Sequence, residues 1–218
     1  RDKLVTGVQT CALPISKWLE WARVLQAIAQ TGLHHTQGHY DKENYARLRD
    51  LAAEMTAACA GLPAPEALAS FSLQPGYATV KSDVRAACVR DGRVLMVQER
   101  LDMKWSLPGG WADVGETPSS AAARETFEES GFHVLPTRVV GVYDANRRGR
   151  PMEFYHAYKV VFLCDVLDGV PTPSNETAAV DFFPLDDLPP LSSPRTEERH
   201  LADIRAALAD PCRPAAFD

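Results

Sequence analysis

The 218-residue sequence predicts an α/β (α+β) fold, a mixed β-sheet flanked by helices, with a small helical unit in front of it. Three observations predict it. Residues 17–61 carry apolar side chains at helical spacing. Residues 81–184 carry apolar runs of strand length, two of them joined by a two-residue turn signal. Helical periods lie between and after those runs, which favours a mixed sheet sandwiched by helices over an all-parallel one. With 45% hydrophobic and 24% charged residues, the composition is that of a globular chain.

Residues 1–16 stand apart. Arg1–Ser16 has no helical or strand period continuous with the residues from Lys17 onward. It resembles translated adaptor sequence, so it is read as non-native or disordered. From Lys17, Trp18, Trp21, Leu25, Ile28 and Ala29 form a helical stripe with Gly32 as its stop. Asp41 is the expected N-cap of a second helix carrying Tyr45, Leu48, Leu51, Ala52 and Met55, ended by Gly61 and Pro63. A hairpin over 17–61 is too small to be stable by itself, so its stripe is expected to pack on the rest of the chain or on a second subunit. His34, His35 and His39 fall in the expected connecting loop, where no carboxylate or cysteine completes a ligand set. Residues 62–76 read as a linker punctuated by Pro63, Pro65, Pro75 and Gly76.

The second domain is expected over 77–218. Asp83–Arg90 and Arg93–Glu99 flank Asp91-Gly92, a two-residue hairpin turn. Residues 117–131 read as a helix. Val139–Tyr143 and Phe154–Asp165 read as strands joined by an arginine-rich loop, Val180–Pro184 as a short strand, and 196–209 as a last helix with Leu201, Ile204 and Leu208 inward.

Charge and cysteines narrow the function. The net charge of −6 resides entirely in residues 75–218, since 1–74 sum to zero. That acidity argues against nucleic acid as a partner. No stretch reaches the roughly 20 apolar residues of a membrane span, so no membrane partner is expected. Cys11, Cys59, Cys88, Cys164 and Cys212 are odd in number, widely spaced and without a CxxC, which excludes a disulfide framework or zinc site and suggests a reducing, cytoplasmic setting.

The chemistry concentrates in GWADVGETPSSAAARETFEESGF, residues 110–132. Thr117 suits an N-cap, Pro118 the first helical position and Gly131 the C-terminal cap. Glu125, Glu128 and Glu129, at i, i+3 and i+4, share one helix face. Three like charges repel there, and no Lys or Arg is interleaved between 125 and 131. Either the face is simply solvated, or a hard divalent cation such as Mg²⁺ or Mn²⁺ removes the repulsion. The Gly109-Gly110 turn before the helix can offer a backbone carbonyl to that cation.

The spacing resembles the Nudix box: a glycine, five residues, a glutamate, seven residues, then R-E-U-x-E-E-x-G-U, where U is a bulky residue. Gly110, Glu116, Arg124, Glu125, Glu128, Glu129 and Gly131 match its fixed positions; Thr126 and Phe132 are looser matches to U. The resemblance implies an α/β/α sandwich and metal-dependent hydrolysis of a nucleoside diphosphate linked to another group. By matching position, Glu125, Glu128 and Glu129 are the implied metal-binding carboxylates, with the Gly109 carbonyl as an extra ligand. Arg124 orients them, and Glu116 supports the loop–helix geometry. The implied general base is either a box glutamate or Glu176, in the later loop Ser174–Thr177. From Lys17 onward the chain is similar to a Nudix subgroup with an N-terminal helical domain. That subgroup includes ADP-ribose and CDP-choline pyrophosphatases and is expected to be homodimeric. A Nudix enzyme for nucleoside triphosphates or dinucleotides, or a non-catalytic ligand sensor, are the alternatives. For the substrate, Arg147 and Arg148 (with Arg150) either clamp a phosphate or ribose or form a solvated loop. Trp105 and Trp111 either stack on a base or belong to the core.

Overall fold

The structure is a computed structural model that describes residues 15–60, 63–72, 76–145 and 156–218. The chain divides into two compact units between Thr79 and Val80.

The first unit is helical: α1 (Ile15–His35), α2 (His39–Ala60) and α3 (Ala64–Ser72). Three sequence expectations are corrected here. Gly32 does not stop α1. A Cβ at Gly32 would lie 2.4 Å from the Tyr45 ring, so the glycine admits the ring of α2 while the helix continues. The histidines are consequently not loop residues: His34 and His35 occupy the last turn of α1, and His39 opens α2. Third, α3 fills much of the stretch read as a linker. Its amides at Glu66 and Ala67 donate to the Pro63 carbonyl, and Pro65 sits in the first turn, where its missing N–H is harmless.

The packed faces share Ala29 and Ala52 with the expected stripes but otherwise differ from them. Ala22, Ala29, Ala52, Ala53, Thr56, Ala57, Ala67 and Phe71 are buried, and Thr56 Oγ1 donates back to the Ala52 carbonyl at 2.8 Å. Small residues let the helices approach closely. The large side chains Trp18, Trp21, Val24 and Ile28 of α1 are exposed instead, with Trp18 and Trp21 in edge-to-face contact at 5.3 Å.

The second unit holds β1 (Lys81–Arg90), β2 (Arg93–Glu99), β3 (Trp105–Ser106), α4 (Pro118–Ser130), β4 (Phe132–Asp144), β5 (Ala157–Gly169), β6 (Thr177–Pro184), α5 (Glu198–Ala209) and β7 (Ala216–Phe217). The strand order is β3-β2-β1-β5-β4-β7, with β6 also paired to β2. β1–β5 and β4–β7 are parallel and the other pairs antiparallel, so the sheet is mixed. Asp91 and Gly92 both take positive φ, the geometry of the two-residue hairpin that the sequence signals.

Alternation along the strands builds two cores. Val84, Ala86 and Cys88 of β1, Leu95 of β2 and Phe162 and Cys164 of β5 face Ala121 and Ala122 of α4. Their neighbours Ala87, Val94, Met96 and Val161 face Leu201, Ile204 and Ala207 of α5. The sheet is therefore sandwiched between α4 and α5. β4 runs well beyond the expected Val139–Tyr143, with register shifts near Pro136 and Gly141 that interrupt its pattern. Among the described residues, no helix is long and apolar enough to cross a membrane.

Candidate active site

α4 is fixed at both ends by its own sequence. Thr117 is extended and its hydroxyl accepts from the Ser120 amide at 3.1 Å, while Ser120 Oγ accepts from the Thr117 amide at 3.0 Å, a capping box. Gly131 closes the helix in the left-handed region, and its N–H donates to the Phe127 carbonyl. Between these caps the helix projects Arg124, Glu125, Glu128 and Glu129 into a cleft of about 460 Å³.

Arg124 organises this side of the cleft. Its Nε and Nη2 donate to the two oxygens of Glu116 at 2.7 and 2.9 Å, a bidentate pair. Its Nη1 donates to Glu125 Oε1 and to Glu128 Oε2, both at 2.9 Å. The loop is tied in as the Asp113 amide donates to Glu116 and Arg124 Nη2 reaches the Trp111 carbonyl. The Arg124 hydrogen bonds hold Glu116 down at a pKa of about 2.

Glu129 is different. It is 7% exposed, and the Gly109 amide donates to its Oε2 at 2.8 Å. Burial pushes its pKa up to about 7, with Glu99 and Glu125 adding to the rise and Arg85 opposing it. Burial also raises Glu125, against the pull of Arg124. Gly109 has a φ of 141°, and a Cβ there would meet the Val84 carbonyl at 2.0 Å, so no other residue fits this turn. The carbonyls on either side of Gly109 are used by β1: Pro108 accepts from the Ala86 amide and Gly110 from Val84.

Glu176 lines the same cleft and is exposed. Its loop is built on Ser174 Oγ, which accepts from the amides of Glu176 and Thr177, and on Thr177 Oγ1, which donates to the Glu129 carbonyl at 2.9 Å. Gly110 and Trp111 also line the cleft, and Lys81 Nζ lies 5.6 Å from the Trp111 ring centroid. Trp105 is not among the lining residues. It packs edge-on against Phe183 at 4.7 Å beside the α5 core, so of its two alternatives the structure favours packing. Arg147 and Arg148, with Arg150, lie outside the described residues.

The cleft also contains Arg85, Glu99 and Arg195, which local sequence reading does not single out. Arg85 and Asp83 place opposite charges two residues apart in the buried stretch 83–88, which is otherwise apolar, and that pair is the available signal. Arg85 Nε and Nη2 donate to Asp83 at 2.8 and 3.2 Å, and Lys159, 2% exposed, lies 3.6 Å from the same carboxylate. Despite burial, these two cations hold Asp83 below its usual range.

The donor set suits a hard divalent cation: carboxylate oxygens, one of them held at a raised pKa by burial, with neighbouring carboxylates adding to the rise. The carboxylates are not drawn into a closed set, however. Among the described residues no three acidic, histidine or cysteine side chains already form a metal cage. Arg124 is bonded to both Glu125 and Glu128, and a cation would compete with it for those oxygens.

Comparison with known proteins agrees with this architecture. Residues 81–204 match the NUDIX domain, and residues 16–71 match a domain described as UDP-X-like, N-terminal oligomerisation domain. YjhB of Bacillus subtilis (strain 168), provisionally named an ADP-ribose pyrophosphatase, is 37% identical over 203 residues, 93% of this chain and 98% of that one. A crystal structure of a UDP-X diphosphatase is 31% identical with a TM-score of 0.60, covering 94% of this chain and all of that one. An ADP-ribose pyrophosphatase from Streptococcus suis 89-1591 is 38% identical with a TM-score of 0.57, over 64% of this chain and all of that one.

Proposed function

On the premise that this chain belongs to the NUDIX family, we propose that it is a divalent-metal-dependent pyrophosphohydrolase of nucleoside diphosphates linked to a second group, in the ADP-ribose or CDP-choline class. Water is added across the P–O–P bond, giving a nucleoside monophosphate and a phosphorylated second group. The observation that carries the reading is the buried Glu129 beside Glu125 and Glu128 on one capped helix, Glu125 and Glu128 held by Arg124 and Glu129 by the Gly109 amide.

Glu125, Glu128 and Glu129, with the Gly109 carbonyl, would hold Mg²⁺ or Mn²⁺. The cation supplies charge neutralisation of the phosphates and acidification of a water. The chain's own residues do the positioning. Arg124 orients Glu125 and Glu128, Glu116 holds Arg124, and the Gly109 amide orients Glu129. A box glutamate or Glu176 accepts the proton of the attacking water; Glu176 lines the cleft on a loop tied to Glu129 through Thr177. Trp111, exposed at the cleft, offers a ring for a base to stack on.

Residues 17–61 with α3 are the assembly unit and 77–218 the hydrolase. The exposed Trp18, Trp21, Val24 and Ile28 supply an apolar face for a homodimer, and the name of the domain matched by 16–71 supports that role. A cytoplasmic setting accords with the free cysteines.

A second reading, a UDP-linked substrate, is favoured by the UDP-X diphosphatase that aligns over nearly the whole chain. Product analysis separates them. With Mg²⁺ or Mn²⁺ the protein would be offered ADP-ribose, CDP-choline, a UDP-sugar, a diadenosine polyphosphate and nucleoside triphosphates. AMP with ribose 5-phosphate, or CMP with phosphocholine, supports the first reading, and UMP with a sugar phosphate the second. Pyrophosphate release from triphosphates, or inactivity on every compound, contradicts both.

A further inference from the structure

We propose that Arg195 is a substrate-binding residue that grips the pyrophosphate in the cleft; this rests on the functional reading above. Carboxylates outnumber cations among the lining residues, yet a pyrophosphate needs donors and positive charge. Three arginines line the cleft, and two are committed. Arg85 gives Nε and Nη2 to Asp83 and Nη1 to the Leu107 carbonyl. Arg124 distributes all three nitrogens over Glu116, Glu125, Glu128 and the Trp111 carbonyl.

Arg195 is held differently. Its Nε lies 2.9 Å from Glu99 Oε1, an oxygen that also accepts from Ser106 Oγ at 2.6 Å. Nη1 has one long contact, 3.4 Å to Ser192 Oγ, and among the described residues Nη2 has no partner. The Glu99 side chain is 6% exposed and that of Arg195 28%, so a buried carboxylate holds a partly accessible guanidinium. A guanidinium held through Nε in a residue that lines the cleft, with its terminal nitrogens little used among the described residues, is a planar fork suited to phosphate oxygens.

The backbone beneath it is equally fixed. The buried Lys159 ammonium donates to the Arg195 carbonyl at 2.6 Å and to that of Pro194 at 3.3 Å. Thr196 Oγ1 accepts from the Leu107 amide, and the Ser192 amide donates to the Trp105 carbonyl. A buried ammonium committed to backbone carbonyls is costly unless it is fully partnered, and here it fixes the loop that presents Arg195.

The test compares wild type, Arg195→Gln and Arg195→Lys. Two quantities are read in excess Mg²⁺: KM and kcat for ADP-ribose, and the calorimetric Kd for imidodiphosphate, a pyrophosphate analogue with a non-hydrolysable bridge. Arg195→Gln should raise KM and Kd together by about tenfold or more, with a smaller change in kcat, and Arg195→Lys should recover part of both. Because Arg195→Gln leaves the buried Glu99 without its cation, the Glu99→Gln/Arg195→Gln double variant, which removes both charges, provides a second folded background and should show the same rise. Unchanged KM and Kd in either folded variant, or a loss confined to kcat, would overturn the proposal. Wild-type protein that hydrolyses no nucleoside diphosphate derivative would overturn the functional reading instead, while the imidodiphosphate titration still judges Arg195 independently.

Discussion

The two groups of charged residues that line the cleft differ in how far the chain must fold to assemble them. The α4 group is assembled locally. Thr117, Pro118 and Gly131 fix the helix, and every partner of Arg124 lies within thirteen residues of it. The other group, Arg85, Glu99 and Arg195, comes from two strands and a distant loop: Asp83 and Ser106 hold Arg85 and Glu99 from nearby in sequence, while Arg195 is brought to Glu99 and Lys159 only by the fold. Its charges are also more nearly balanced. Asp83 sits below its usual pKa between two cations, whereas Glu129 is pushed up to about 7. The difference separates two tasks: the first group gathers negative charge in the cleft, and the second fixes the cleft through the buried Arg85–Asp83–Lys159 pairs and presents the partly accessible Arg195.

The largest expected effect falls on the second group. Asp83→Asn leaves Arg85 and Lys159 facing each other without their shared carboxylate, and should destabilise the protein by about 3 kcal/mol or more. Denaturant unfolding measures this; a loss under about 1 kcal/mol would show that the cations find other partners.

The next effect belongs to Glu129. Its folded pKa of about 7 lies above the ordinary carboxylate value of 4.5, so the folded state retains a proton that the unfolded state has released between those limits. Stability conferred by the protonated group is therefore intact below about pH 4.5 and lost as pH rises through about 7, by roughly 3 kcal/mol in metal-free protein. Melting curves from about pH 5 to about pH 8 should show this slope in wild type and its absence in Glu129→Gln. Equal slopes would remove the distinction between the two groups.

This contrast also explains how much is legible in the sequence. The helix over 118–130, its caps, the spacing of its carboxylates and the Asp91-Gly92 turn all rest on interactions within a few residues, and the sequence carries them openly. The packed face of α1 is harder to read because periodicity identifies a stripe without saying which side packs. Ala22 and Ala29 allow close approach, so the larger Trp18 and Trp21 stay outside. Gly32 has the look of a helix stop, although it makes room for Tyr45. Two-residue strands such as β3 and β7 have too few residues for a period. Arg195 acquires its place from Glu99 and Lys159, far away in sequence.

The smallest effect returns to the local group. Thr117→Ala removes the cap of α4 and should cost about 1 kcal/mol of stability, with melting temperature as the readout. Because Arg124 and Glu116 still brace the helix start, turnover should fall far less than in any box carboxylate variant. A large loss of activity at unchanged stability would show that the cap shapes the cleft directly.

The most direct measurement of the central claim is the Mg²⁺-dependent release of AMP from ADP-ribose by wild type and Glu129→Gln, with both products identified. The proposed arrangement predicts turnover by wild type that stops when the metal is chelated, and a rate in Glu129→Gln lower by about 10²-fold or more. Near-normal release by Glu129→Gln, or release that persists under chelation, would contradict it.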